Sequence, residues 1–318
     1  MGGWRAVSAE QDELAEAFSQ ARPRLVRVAY AILGSHSEAE DVVADCWLRL
    51  VAAHSGTPVR DVESWAVVAV SRMALDVLRS ARVRREQYVG PWLPEPVVGA
   101  AGVTPAAGAA AGLGGGSARM AADPADKVTL DDQVSYALLV VLETLTPAER
   151  TAFVLHDLFG VAFDEVAAVV GRSPAAVRQL ASRARRHVRT RGMPPAVDAA
   201  EHRKVVSAFE VAVTSGDLAT LIQVLDPEVV LVSDGGGVVT SARRPVLGAD
   251  RVGRFLLGIL AKGTPGDRIQ RADVNGAPGF AMYQAGRLVT VVSLTVADGR
   301  VARLDLVRAP DKLPQQRA

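Results

Sequence analysis

The chain has 318 residues, of which 49% are hydrophobic and 22% charged, and a formal net charge of +1. That length exceeds one ordinary core and suits two or three domains of globular composition. The lone Cys46 excludes an intrachain disulfide and a cysteine-cluster metal site, and the five scattered histidines show no ligand spacing. No run of eighteen apolar residues occurs and Met1–Gln20 lacks a signal-length apolar core, so a cytoplasmic protein without membrane association is expected. The near-neutral total hides a partition: Arg172–Arg191 carries seven arginines and no acid, whereas Glu38–Asp45 carries four acids and no base. Such partition implies different partners for different segments.

The first segment, residues 8–87, reads as all-helical. Phe18, Leu25, Val28, Ala29 and Ile32 recur mostly at three- and four-residue steps. After a turn at Gly34–Ser37, Ser37 with Glu40 forms a capping-box pattern. The helix Glu38–Ala53 that follows presents Val42, Val43, Trp47, Leu48 and Val51 as an apolar face. The polar loop His54–Glu63 leads to a third helix, Trp65 to about Gln87, with arginines in its second half, including Arg79. Its Arg72, Arg79 and Arg82 suit a DNA backbone, the preceding loop suits capture of a flipped base, and Trp65 suits the core. Cys46 beside Trp47 reads as a small buried hydrophobe. The acids Glu38, Glu40, Asp41 and Asp45 suit a basic protein partner or, equally, a helix dipole.

Residues 88–126 read as a flexible linker, because Pro91–Pro124 turns to Gly, Ala and Pro without apolar periodicity. Within it, Trp92-Leu93-Pro94-Glu95-Pro96 forms a semi-rigid apolar hook suited to docking on another domain.

The segment 127–192 is helical again. Val134–Leu145 is an apolar helix, and Thr146-Pro147-Ala148-Glu149 combines an N-cap, a first-turn proline and a capping box. A short helix, Phe163–Val170, meets Gly171-Arg172-Ser173, and Ser173-Pro174 starts a basic helix running to about Arg191. Two helices joined by a tight glycine turn, the second strongly basic, form a helix-turn-helix pattern. Arg178, Gln179, Ser182 and Arg183 share one face of the second helix, while Val177, Leu180, Ala181, Ala184 and Val188 form its inner stripe. Arg pairs bidentately with guanine and Gln with adenine; Arg185, Arg186 and Arg189 suit phosphates.

After a break at Gly192-Met193-Pro194-Pro195, residues 198–313 change to α+β. Helices at Ala200–Thr214, Leu218–Leu225 and Ala249–Leu260 accompany strand-like runs at Val229–Ser233, Phe280–Gln284, Leu288–Val296 and Val301–Arg308. Hairpin turns fit Ala285-Gly286 and Asp298-Gly299, giving a curved antiparallel sheet with helices on one side. For catalysis the segment offers only one histidine, His202, and Asp234, which stands beside glycines that read better as turn residues; no catalytic residue, metal site or cofactor is assigned.

In this order these features resemble the extracytoplasmic-function sigma factors of bacteria. AYAILGSHSEAEDVVADCWLRL and SWAVVAVSRMALDVLRSARVRRE are similar to the family's region 2, and LETLTPAERTAFVLHDLFGVAFDEVAAVVGRSPAAVRQLASRARRHV to its region 4. Trp92–Pro96, Asp234-Gly235-Gly236-Gly237 and Pro310-Asp311-Lys312-Leu313 resemble the motifs of a branch with a fused C-terminal SnoaL-like (NTF2-like) cone.

The resemblance implies two all-α sigma domains, a cone acting in place of a separate anti-sigma protein, and a non-enzymatic role in promoter-specific initiation. Asp41, Asp45 and Arg49 would meet core RNA polymerase, whose beta-prime clamp and beta flap are the implied partners. Arg60 and Trp65 with Arg72, Asp76 and Arg79 would engage the −10 element of promoter DNA. Arg172, Ser173, Arg178, Gln179, Ser182, Arg183 and Arg186 would engage the −35 element. Trp92–Pro96, Asp234–Gly237 and Asp311, Lys312 and Leu313 would carry the interdomain regulatory contact. Members usually carry Lys where Val238 stands, Asn where Ala309 and Met73 stand, and a Gln-Glu pair where Ala44-Asp45 stands. A ligand-sensing helix-turn-helix regulator, its third domain binding an unidentified small molecule, is the alternative that the residues leave open.

Overall fold

The computed structural model describes residues 3–86, 88, 90–100, 134–190 and 197–314; the Gly/Ala-rich run 101–133 and the break at 192–195 lie outside the described residues. The chain forms two compact units, one of Met1–Glu95 with Ala137–Met193 and one of Pro96–Tyr136 with Pro194–Ala318.

The first unit holds both helical segments. Helices α1 (Gly3–Leu33), α2 (His36–Gly56) and α3 (Val62–Glu86) pack on one another. Leu25, Val28, Ala29 and Ile32 of α1 are fully buried, as the periodicity predicts, and so are Val43 and Leu50 of α2 and Val70 and Ala74 of α3. Each such large aliphatic side chain contributes roughly 1.5–3 kcal/mol. Cys46 is buried too; its thiol faces the Ala66 carbonyl at 4.0 Å, and burial pushes its pKa up to about 11. The cap of α2 corrects the sequence reading, because Ser35 rather than Ser37 is the N-cap, accepting from the Glu38 amide. Ser37 instead donates through its amide and hydroxyl to the Glu95 carboxylate, at 3.2 and 3.0 Å.

The second helical segment contributes α4 (Tyr136–Leu142), α5 (Pro147–Phe153), a π-helical turn (Val154–Leu158), α6 (Phe163–Val170) and α7 (Pro174–Thr190). The Thr146–Glu149 capping box is present in both directions. Arg150 ties α5 to the end of α1. Buried to 1% exposure, it donates through Nε to the Ala31 carbonyl at 3.0 Å and through Nη1 to Glu143 at 2.6 Å.

Among the described residues of the second unit, α8 (Ala199–Ser215), α9 (Leu218–Val224) and α10 (Ala249–Leu260) accompany seven strands. These are β1 (Val98–Ala100), β2 (Leu225–Asp234), β3 (Val246–Leu247), β4 (Arg268–Val274), β5 (Ala277–Gln284), β6 (Arg287–Ala297) and β7 (Arg300–Val307). Their order is β1-β4-β5-β6-β7-β2-β3. Phe209, Leu221, Val252, Phe280, Leu294 and Leu304 belong to the core that joins helices to sheet.

Two expectations are corrected here. The sheet is mixed, since β2 runs parallel to β7. It is also open and not a closed cone: β1 and β3, of three and two residues, lie at opposite ends and do not pair with each other. Closure requires end strands long enough and staggered to meet with consistent tilt, a condition that alternation along a single strand does not encode. The turns at Ala285-Gly286 and Asp298-Gly299 form as expected, with positive φ at all four residues; a third at Asn275-Gly276 was not anticipated.

Candidate nucleic-acid interface

The site grows from the α6–α7 pair. Gly171 ends α6 in the left-handed conformation (φ 71°), which glycine enters without penalty, and its amide donates to Ala167. Ser173 Oγ then accepts from the Ala176 amide at 3.3 Å, so the second helix starts where the sequence places it. Val177, Ala181, Ala184 and Val188 are buried beneath it. The same 3.6-residue period sends Arg178, Gln179, Ser182, Arg183 and Arg186 to the exposed face, with Arg172 and Ser173 exposed in the turn. Arg178 also lies over the Phe163 ring, 5.2 Å from its centroid, and Phe163 stacks on His156 at 3.7 Å. These contacts hold the guanidinium near the helix start. Arg185 departs from the phosphate role: half-buried, it pairs with Asp157 at 3.2 Å. Burial raises the Asp157 carboxyl above its ordinary range, and Arg185 draws it partly back.

The residues singled out in the first segment lie on different elements. Asp41, Asp45 and Arg49 are all exposed on α2 at four-residue steps, hence on one face. Leu48, assigned from periodicity to the inner apolar face, instead stands 67% exposed, three residues beyond Asp45 and seven beyond Asp41. Arg60 is exposed and Trp65 half-buried. On α3, Asp76 and Arg79 pair with each other at 3.4 Å, a weak exposed bond. Arg72 points to α6, donating through Nε and Nη2 to the Ala168 carbonyl at 3.2 and 3.0 Å.

Of the motif residues, Glu95 binds within the first unit. Its carboxylate accepts from Ser35 Oγ at 2.8 Å, its amide donates to the Gly34 carbonyl, and its own carbonyl accepts from Tyr30 at 2.6 Å. A carboxylate there also complements the N-terminus of α2. Trp92 is half-buried and packs edge-on to Tyr88 at 5.0 Å, while Leu93, Pro94 and Pro96 are buried.

The other two motifs meet inside the second unit. Lys312 Nζ donates to Asp234 Oδ2 at 2.7 Å, with both side chains almost wholly buried. The Arg308 and Ala309 amides donate to the Asp234 carbonyl, and the Gly236 amide donates to its Oδ1 at 3.0 Å. Gly236 and Gly237 have positive φ, and a Cβ on Gly235 would overlap the Val239 carbonyl oxygen. Gly236 lies against Ala309, whereas Val238 is exposed; Asp311 and Leu313 flank the lysine, with Leu313 buried. The glycines are therefore sites of close backbone approach.

His202 donates through Nε2 to the Leu294 carbonyl, 3.1 Å away. Its buried Nδ1 faces no partner among the described residues. Burial lowers its pKa, with the Leu294 bond opposing weakly. A depressed imidazole pKa means that the unfolded chain binds the proton more readily, so stability holds above the unfolded value and falls as pH drops below about 6.5. Thermal melts from pH 7.5 to 5 should show this loss in the wild type and a smaller one in His202→Gln; parallel curves would contradict it. Among the described residues no cluster could hold a metal ion.

A helical triad and a helix-turn-helix beside an α+β unit point to a DNA-binding protein, and the sequence comparisons specify its kind. Residues 17–84 match Sigma-70 region 2 and residues 135–188 match Sigma-70, region 4. The chain is 40% identical to ECF RNA polymerase sigma factor SigJ of Mycobacterium tuberculosis over 309 residues, covering 93% of this chain and 91% of that one. It is 35% identical to the same organism's "Probable ECF RNA polymerase sigma factor SigI" over 310 residues, 97% and 98% of the two chains. The crystal structure of M. tuberculosis SigJ superposes with a TM-score of 0.71 at 36% identity, over 94% of this chain and 97% of that one. The chain therefore belongs to the ECF RNA polymerase sigma factors. It is a non-catalytic transcription-initiation factor, with an α+β unit that lies largely outside both matched regions.

Proposed function

We propose that this sigma factor grips a promoter at two places and that its own C-terminal unit adjusts that grip. The observation that carries the first half is α7, whose buried apolar stripe and opposite row of Arg178, Gln179, Ser182 and Arg183 give a helix-turn-helix its reading face. This face, with Arg172, Ser173 and Arg186, contacts the −35 element. Arg60, Trp65, Arg72, Asp76 and Arg79 serve the −10 element, for which Arg72 must first release the Ala168 carbonyl. Asp41, Asp45 and Arg49, joined by exposed Leu48, meet the polymerase in the cytoplasm. No helix among the described residues is long and apolar enough to cross a membrane.

Regulation in cis is supported by the motif residues: Glu95 engages the α1–α2 turn, and the stretch it ends continues into β1, which pairs with β4. The segment between the two DNA-binding regions thus also contributes to the C-terminal sheet.

Run-off transcription with core polymerase tests both parts. The full chain should give promoter-dependent transcript, and a chain ending at Met193, which keeps every residue of the first unit, should differ from it in activity. No transcript from either form would overturn the sigma assignment of the interface; equal transcript would overturn regulation in cis. Within α7, Arg178→Ala or Arg183→Ala should cost about 1–3 kcal/mol on the cognate −35 sequence only. Arg189→Ala should weaken binding to all sequences and flatten the salt dependence. Uniform loss in all three would reduce the helix to a phosphate clamp.

A further inference from the structure

Between α8, α10 and the sheet the C-terminal unit leaves a partly open cavity of about 120 Å³. Its walls include Phe209 and Val213 of α8, Leu256 and Ile259 of α10, and Phe280 and Leu304 of the sheet. Packed interiors rarely leave voids larger than a water molecule, and an apolar void does not hold water, which would have no polar partners there. Around this one, Phe255, Leu256, Ile259 and Leu260 remain only half-buried and Ile269 is 46% exposed. The apolar face of α10 is thus incompletely covered by its own chain.

Among the described residues only Glu210 and Thr214 bring polar groups to the lining. Glu210 accepts from Arg271 Nε at 2.7 Å, so its charge is already matched, and both residues reach solvent. A charged ligand would find no countercharge among the remaining lining residues, all of them hydrocarbon or thioether side chains. Cavities of about 150 Å³ lined by Leu, Ile and Phe accept benzene-sized molecules.

We propose that this cavity is a binding site for a small uncharged apolar aromatic molecule, of benzene size or slightly larger. The occupant completes the cover of α10 and fixes it against β4 and β5. Differential affinity for two arrangements of α10 would then give the C-terminal unit an input; this last step rests on the regulatory reading above, whereas binding itself does not.

The test uses the full chain with toluene and indole as probes and benzoate as the charged comparison, read by methyl NMR and thermal melting. Toluene and indole are expected to raise the melting temperature in a saturable way and to move methyl signals of Ile259 and Ile269, with benzoate inert. Val213→Phe, which fills the space, should weaken both probes at least tenfold. Leu256→Ala, which enlarges it, should retain them. Silence of the methyl signals with toluene and indole, an equal response to benzoate, or undiminished binding in a folded Val213→Phe would each overturn the proposal. Neither readout involves polymerase or promoter, so loss of the regulatory reading would be told apart from loss of the site.

Discussion

Lys312→Met is expected to destabilise the C-terminal unit by about 3–5 kcal/mol, because it removes the countercharge 2.7 Å from a carboxylate with no access to solvent. For a unit of this size that corresponds to a fall of roughly 10 °C or more in melting temperature. The double variant Asp234→Asn/Lys312→Met should recover much of the loss, since a buried pair costs nearly as much to desolvate as its attraction returns. A melting curve for Lys312→Met that overlays the wild type would show the pair to be energetically idle. The comparison matters for function, because Asp234 and Lys312 were expected to act between domains. A transcription defect in the single variant that disappears in the double reflects folding of the unit; one that persists in a stable double variant reflects the regulatory contact.

Arg150→Met is expected to have an effect of similar size on the first unit. The guanidinium is buried, holds Glu143 at 2.6 Å and supplies a donor to the Ala31 carbonyl at the end of α1. Methionine fills much of the volume but leaves the carboxylate without this cation and the carbonyl without this donor. About 3–5 kcal/mol should be lost, and Glu143→Gln/Arg150→Met should regain part of it. Hydrogen exchange locates the damage: protection should fall in both α1 and α5 if Arg150 ties the two helical segments together. Loss confined to α5 would assign it to local packing alone.

The two arginine-rich stretches differ in how far the sequence reveals them. For α7 the sequence carries everything needed: a glycine turn, a serine cap, a buried stripe and an exposed row are all local, repeating at helical period. On α3, Arg72, Asp76 and Arg79 also keep that period, yet their partners are the Ala168 carbonyl and one another. Nothing local announces a partner ninety-six residues away. Leu48 misled for a related reason, because periodicity identifies a stripe but not the width of the surface that covers it. Its 67% exposure follows from where α1 and α3 happen to pack.

By itself, then, the sequence determined most of the helices, the Thr146–Glu149 capping box, the exposed arginine row of α7, two of the glycine hairpins and the family, since each depends on residues a few positions apart. Tertiary structure alone decided that the two helical segments form one unit and that β2 runs parallel to β7. It also joined the Asp234 and Lys312 motifs through a buried ion pair and left the sheet open, with the linker supplying its edge strand β1. All of these are set by contacts between residues distant in the chain. Their energies come from desolvating charges and matching strand ends, quantities that acquire values only once the chain has brought the partners together.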